Sequence, residues 1–147
     1  MLDEFIEVNK LDAEIISFLD ETSVVEAQRH AKLEKSINIS VLLFVTPERD
    51  TFLAVFPAEK LLDEEKLKAL SGEEEMEEAS SKDTSEWIGY KKGLLPPISI
   101  YGIKVFIDSS LKDKSMFCVV GPKDYLKLSF ESILEANDEV VVEKITK

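Results

Sequence analysis

The sequence predicts an α+β domain whose strands form one mixed sheet. Three observations lead there. Segments with helical and with extended periodicity are interspersed, without a regular strand–helix–strand alternation. Short turns such as Pro47–Asp50 and Gly121-Pro122-Lys123-Asp124 join neighbouring strands, so those strands pair directly. No internal repeat or linker divides the 147 residues, a length that suits one domain, 1–147, with a full core.

Taken in order, Leu2, Phe5, Ile6 and Asn9 recur at helical spacing and predict a short amphipathic helix over Leu2–Val8. Ala13–Phe18 is rich in Ile and Phe and reads as a strand. The turn Asp20–Ser23 caps a helix whose face Val24, Ala27, Ala31 runs to Leu33. Ile39–Val45 is nearly continuous apolar chain, the mark of a buried strand, and Thr51–Phe56 returns beside it across a four-residue loop. Asp63 caps a helix to Leu70, Glu64 and Glu65 suit its first turn, and Gly72 ends it. The acidic run Glu73–Glu78 reads as solvated surface with a short edge strand near Met76. Ser81–Ile88 is a further short helix. Strands follow at Ile103–Ile107, Met116–Val120 and Tyr125–Leu128. Ser129 caps a helix to Ala136, and Glu139–Ile145 closes the chain as a strand.

Composition narrows the function. A net charge of −12 repels polyanions at long range, which argues against a broad groove for duplex DNA while leaving room for a local basic patch. No apolar run reaches the ~20 residues of a membrane span. The opening MLDEFIEVNK is acidic where a secretory leader is basic, so a cytoplasmic location is expected. One Cys and one His do not make the usual zinc ligand set, and no metal is expected. No Walker loop or dinucleotide fingerprint is present, so no cofactor is expected either. Cys118, between Phe117 and Val119, reads as a buried packing thiol, and His30 as a packing or surface residue. Asp108 at a strand end is either a base or ligand or, the commoner role, a cap for the turn after it. Oligomeric state is left open.

The most distinctive stretch is Gly89–Gly102, GYKKGLLPPISIYG. Its glycines permit positive φ, and its two prolines fix φ and remove amide donors. Such a stiff, shaped loop suits a binding site, although a ligand-free connection has the same composition.

The ordered set of these pieces resembles the YbaK/prolyl-tRNA-synthetase-associated domain family, whose members hydrolyse mischarged aminoacyl-tRNA. The resemblance runs from Phe5 to Asn137. It rests on Phe5–Leu19, Ser23–Ala31, Val41–Phe44, Phe52–Leu70, the G-x-x-x-P loop Gly93-Leu94-Leu95-Pro96-Pro97, Ile107-Asp108, Gly121, and Leu126–Leu134. It implies a mixed, curved sheet or partial barrel flanked by helices, and an aminoacyl-tRNA deacylase acting in trans on the acceptor end. Under it the catalytic set is Gly93, Leu94, Leu95 and Ser40, with the three loop amides aimed at the carbonyl oxygen. The substrate-binding set is Pro96, Pro97, Ser99, Tyr125, Lys91 and Lys92, the lysines meeting acceptor-end phosphates.

Two positions depart from the family pattern. Ser40 stands where the family usually has an active-site lysine, and Leu94 where a second glycine often follows Gly93. These departures keep a second function open: a relative that binds an aminoacyl-tRNA end, or a protein, without turnover.

Overall fold

A computed structural model describes residues 2–147. Its elements are α1 (Leu2–Val8), β1 (Ala13–Ser17), α2 (Val24–Gln28), β2 (Ile37–Val45), β3 (Thr51–Pro57), α3 (Glu64–Ser71), β4 (Glu77–Glu78), α4 (Ser81–Ile88), β5 (Lys104–Asp108), β6 (Ser115–Val119), β7 (Asp124–Ser129), α5 (Phe130–Ala136) and β8 (Glu139–Glu143). The strands form an eight-stranded sheet in the order β1-β7-β6-β2-β3-β5-β8, with β4 added to β2. The β2–β6, β3–β5 and β5–β8 pairs are parallel and the others antiparallel, so the α+β class with a mixed sheet holds. Among the described residues, no helix is long and apolar enough to cross a membrane.

Alternation along β2 divides the core. Ile39, Val41, Leu43 and Val45 pack into the main cluster with Leu95, Ile98 and Cys118. Leu42 and Phe44 face the opposite side, where Phe52, Phe56, Leu67 and Phe106 gather. A third cluster holds Leu33, Phe117 and Tyr125.

Several boundaries differ from the sequence expectation, each for a tertiary reason. The second helix stops at Gln28 instead of Leu33. Its bonds tighten at Arg29 N to Glu26 O and His30 N to Ala27 O, and the chain turns so that Leu33 is fully buried. β2 begins at Ile37, two residues early, because Ile37 and Asn38 pair with Met116 and Phe117 of a distant strand. The β2–β3 loop has five residues, Thr46–Asp50, closed by Thr46 N to Asp50 O, with Arg49 at φ +69°. β8 ends at Glu143 because Ile145 and Thr146 turn aside to bond Asp108. The acidic run contributes the two-residue edge strand β4, and both of its glutamates are exposed. His30 packs edge-on against Phe18.

Asp108 ties three segments together and is 1% exposed. Its Oδ2 caps the 3-10 turn Ser109–Leu111, accepting from Ser110 N and Ser110 Oγ. Its Oδ1 accepts from Ile145 N at 2.8 Å and Thr146 Oγ1 at 3.1 Å. Burial alone raises this carboxyl's pKa. The hydrogen bonds from Ser110, Ile145 and Thr146 outweigh that, and the net shift is downward. Of the two roles open from sequence, the structure provides the cap.

A prediction follows from the direction of that shift. A carboxyl whose pKa is lower folded than unfolded contributes stability that is fully present above the unfolded value, ~3.9, and is lost as pH falls through the folded value. Asp108→Ala leaves the Ile145 and Thr146 donors unpaired in the core and is expected to cost about 2–5 kcal/mol at pH 7 by urea unfolding. Asp108→Asn should also be less stable at pH 7, with a deficit that shrinks as pH drops below about 4. A deficit constant over that range would show that the carboxylate's charge is immaterial.

Candidate functional site

The site originates in how β2 shares its edge. Ala58 N donates to Asn38 O and Thr46 N to Asp50 O, so the even-numbered residues of β2 bond β3. Odd-numbered residues therefore turn their peptide groups to the other edge. That edge is paired with β6 only at Ile37–Asn38 and with β4 only at Phe44–Val45. Leu43 O is taken by Ala79 N at 2.9 Å. Between the two pairings the strands part, and Val41 is left facing the gap.

A cavity of about 210 Å³ occupies this parting. It is lined by Asn38, Ile39, Ser40, Val41 and Leu42 of β2, by Cys118 and Val119 of β6, by Val24 and Ala58, and by Gly93 and Leu95. No charged side chain lines it. A wider groove of about 470 Å³ lies along β1 and β7, but it is lined by carboxylates and lysines together and shares no residue with the proline loop.

The loop is shaped as its composition requires. Gly93 sits at φ +90°, where an added Cβ would meet nothing within 4 Å, so glycine is needed there for its backbone alone. Pro96 and Pro97 are buried. Pro97 O accepts from Asn137 Nδ2 at 2.9 Å, which braces the loop on the end of α5. Ser99 is at φ +72°, and its hydroxyl bonds the Tyr90 hydroxyl at 2.8 Å.

The amides of this loop are unequal. Leu94 N donates to Lys91 O at 2.9 Å and is spent on the turn. The expectation of three free donors is corrected to two: Gly93 N and Leu95 N have no partner among the described residues. Leu94 itself keeps an ordinary negative φ.

Of the residues singled out from sequence, Ser40, Gly93 and Leu95 share the cavity. The others lie elsewhere. Ser99 lines a separate recess with Phe5, Tyr90 and Tyr101. Tyr125 is 2% exposed, its hydroxyl donates to Thr22 O, and it packs with Phe117 and Phe18. Lys91 and Lys92 are exposed, and Lys92 pairs with Glu78 at 3.5 Å. Pro96 and Pro97 hold the loop without lining the cavity.

Sequence reading missed Asn38. Its side chain, like that of Ser40, makes no bond within the chain, and the two share a face of β2 two residues apart. The signal was present as an N-x-S alternation inside an apolar strand. Cys118, expected only to pack, also lines the cavity, and its thiol lies 4.0 Å from Leu95 O.

Comparison with known proteins bears on the family and the fold. The family model described as "Aminoacyl-tRNA editing domain" matches residues 20–129. A proline–tRNA ligase of Fervidobacterium nodosum is 36% identical over 75 residues, a stretch that is 50% of this chain but 13% of the ligase. Among solved structures, a hypothetical protein superposes with a TM-score of 0.83 at 21% identity, covering 99% of both chains. A protein described as a candidate trans-editing enzyme for prolyl-tRNA synthetase has a TM-score of 0.81 at 17% identity, covering 99% of this chain and 94% of its own. These likenesses extend the α+β fold over essentially the whole chain.

One chemical consequence is testable at once. Burial pushes the Cys118 thiol up to about 12, so it stays protonated and is no nucleophile at neutral pH. Alkylation of native protein at pH 8 should run at least a hundredfold slower than in denaturant. Labelling of both states at equal rates would contradict the buried placement.

Proposed function

The chain belongs to the aminoacyl-tRNA editing domain family, and we propose that it hydrolyses the ester joining a mischarged amino acid to the terminal adenosine of tRNA. The observation that supports this most is that Gly93 and Leu95, whose amides have no partner among the described residues, line one small cavity with the open edge of β2. Water attacks the ester carbonyl carbon, and the developing oxyanion is met by the two amides. Donors placed in this way typically contribute about 3 kcal/mol each to lowering the barrier. The carbon–oxygen bond then breaks and the proton passes to the ribose oxygen, leaving free amino acid and uncharged tRNA. No side-chain nucleophile is required. Lys91, which has no ion pair among the described residues, stands beside the loop as a contact for an acceptor-end phosphate.

One observation favours a second reading. The cavity has no cation, Ser40 standing where the resemblance puts a lysine, so a relative that binds the aminoacyl end without turnover remains the alternative.

The test is a deacylation panel of tRNAs charged with Ala, Ser, Cys or Pro. At least one should lose its amino acid well above background. Gly93→Ala, forced to hold φ +90° against its Cβ, should slow that reaction by about a hundredfold through misdirection of the amide. Gly72→Ala, at φ +77° on the far helix end, carries similar strain and should lower stability by about 1 kcal/mol without changing the rate. Binding without loss of any amino acid, together with partial gain on Ser40→Lys, would select the second reading.

A further inference from the structure

The two walls of the cavity differ in chemistry. On the loop wall the free groups are donors, Gly93 N and Leu95 N. On the β2 wall are Asn38 and Ser40, whose side-chain oxygens have no partner within the chain, and Val41, whose carbonyl faces the unpaired edge. The wall therefore presents neutral polar groups, each with an oxygen able to accept. No carboxylate and no cation lines the space between the walls.

An aminoacyl ester has a matching pattern. Its carbonyl oxygen accepts, and its α-ammonium, one carbon away, carries three donors. If the carbonyl lies against the loop amides, the ammonium is directed at β2. Asn38 and Ser40 are two residues apart on that strand, about 7 Å between their Cα atoms, and Val41 follows Ser40, so an ammonium entering there finds an acceptor in either side chain or in the Val41 carbonyl. Charge-assisted bonds of this type are roughly twice as strong as neutral ones. A buried neutral amide in the same place would bring one donor and no charge.

We propose that the Asn38–Ser40–Val41 edge of β2 is an α-ammonium subsite, so that the protein accepts aminoacyl groups with a free amine and rejects N-blocked ones, such as N-formylated, N-acetylated or peptidyl groups. The inference rests on the deacylase reading for the identity of the ligand, but not on turnover. It assigns Asn38 as a substrate-binding residue. It also gives Ser40 a purpose other than standing in for a missing cation: a lysine there would repel the ammonium, and a hydroxyl receives it.

The experiment separates the two ideas. The probe is 3′-deoxy-3′-alanylamino-adenosine, an amide-linked analogue of the charged terminus that does not hydrolyse, used free and N-acetylated. Binding to the full chain is measured by calorimetry or amide shifts. The free amine should bind at least tenfold more tightly than the N-acetyl form. Asn38→Leu should erase most of that preference while leaving the N-acetyl form's affinity nearly unchanged, and Asn38→Asp should keep or increase it. Equal affinity for the two probes, or no binding of either, would overturn the subsite. Failure of the deacylation panel with the tenfold preference intact would overturn turnover alone. Hydrolysis of alanyl- and N-acetylalanyl-tRNA at equal rates would overturn the subsite and leave the deacylase standing.

Discussion

The structure depends on a strand that cannot satisfy both neighbours along its whole length. β2 is paired with β3 from Ile39 to Val45, and this hairpin fixes which peptide groups point the other way. On that second edge β6 holds only the first two residues and β4 only the last two. Closing the gap would need β6 to continue beside β2 past Phe117. Instead β6 diverges from β2 after Phe117, while its other edge stays paired with β7 from Ser115 to Val119. The missing ladder bonds between the two pairings are the origin of the site. An unpaired peptide group in an interior position costs free energy unless water or a ligand meets it, so the parting favours an occupant.

The loop complements this edge because it is stiff for local reasons and anchored for global ones. Prolines 96 and 97 limit the backbone without any contact. The Leu94 amide closes a turn on Lys91, and Asn137 reaches back from the end of α5 to hold Pro97. The same Asn137 amide nitrogen also donates to Ile133 O, so the brace is referenced to the helix and not merely to the loop. Asp108 does the equivalent on the opposite side, where one carboxylate fixes the end of β5, the turn after it and the C-terminal segment. Donors held this firmly need little reorganisation when a charge develops in front of them, and that is what gives backbone amides their catalytic value.

Much of this was legible in the chain, and what was not has a common cause. The caps Ser23, Asp63 and Ser129, the helix-ending Gly72 and the proline loop are local signals, and each formed the structure its chemistry dictates. Long-range pairing was invisible. Nothing near Ile37 says that Met116 will lie beside it, and nothing near Ile145 says that Asp108 will claim its amide. The site was half legible for the same reason. Gly93, Leu95 and Ser40 were found from a resemblance of ordered segments, and the cavity unites them. Tyr125 and Ser99 were placed with them by position along the chain, yet the fold carries both to other surroundings. Asn38 was overlooked because a polar residue at the start of an apolar strand looks like a boundary.

The charge of the whole molecule bears on how such a site would be used. Under the proposed activity, a net charge of −12 repels the tRNA body at long range and weakens the phosphate attraction that usually dominates nucleic-acid affinity. Lys92 is already engaged by Glu78, which with Glu77 pairs along the edge of β2. Under the proposed activity, binding free energy must then concentrate at the terminal nucleotide and the amino acid it carries. A protein built this way gains little from holding correctly charged tRNA and much from recognising what is attached to it. The cavity's small volume, its lack of charge and the polar residues of β2 that line it opposite Gly93 and Leu95 are the features that can make that distinction.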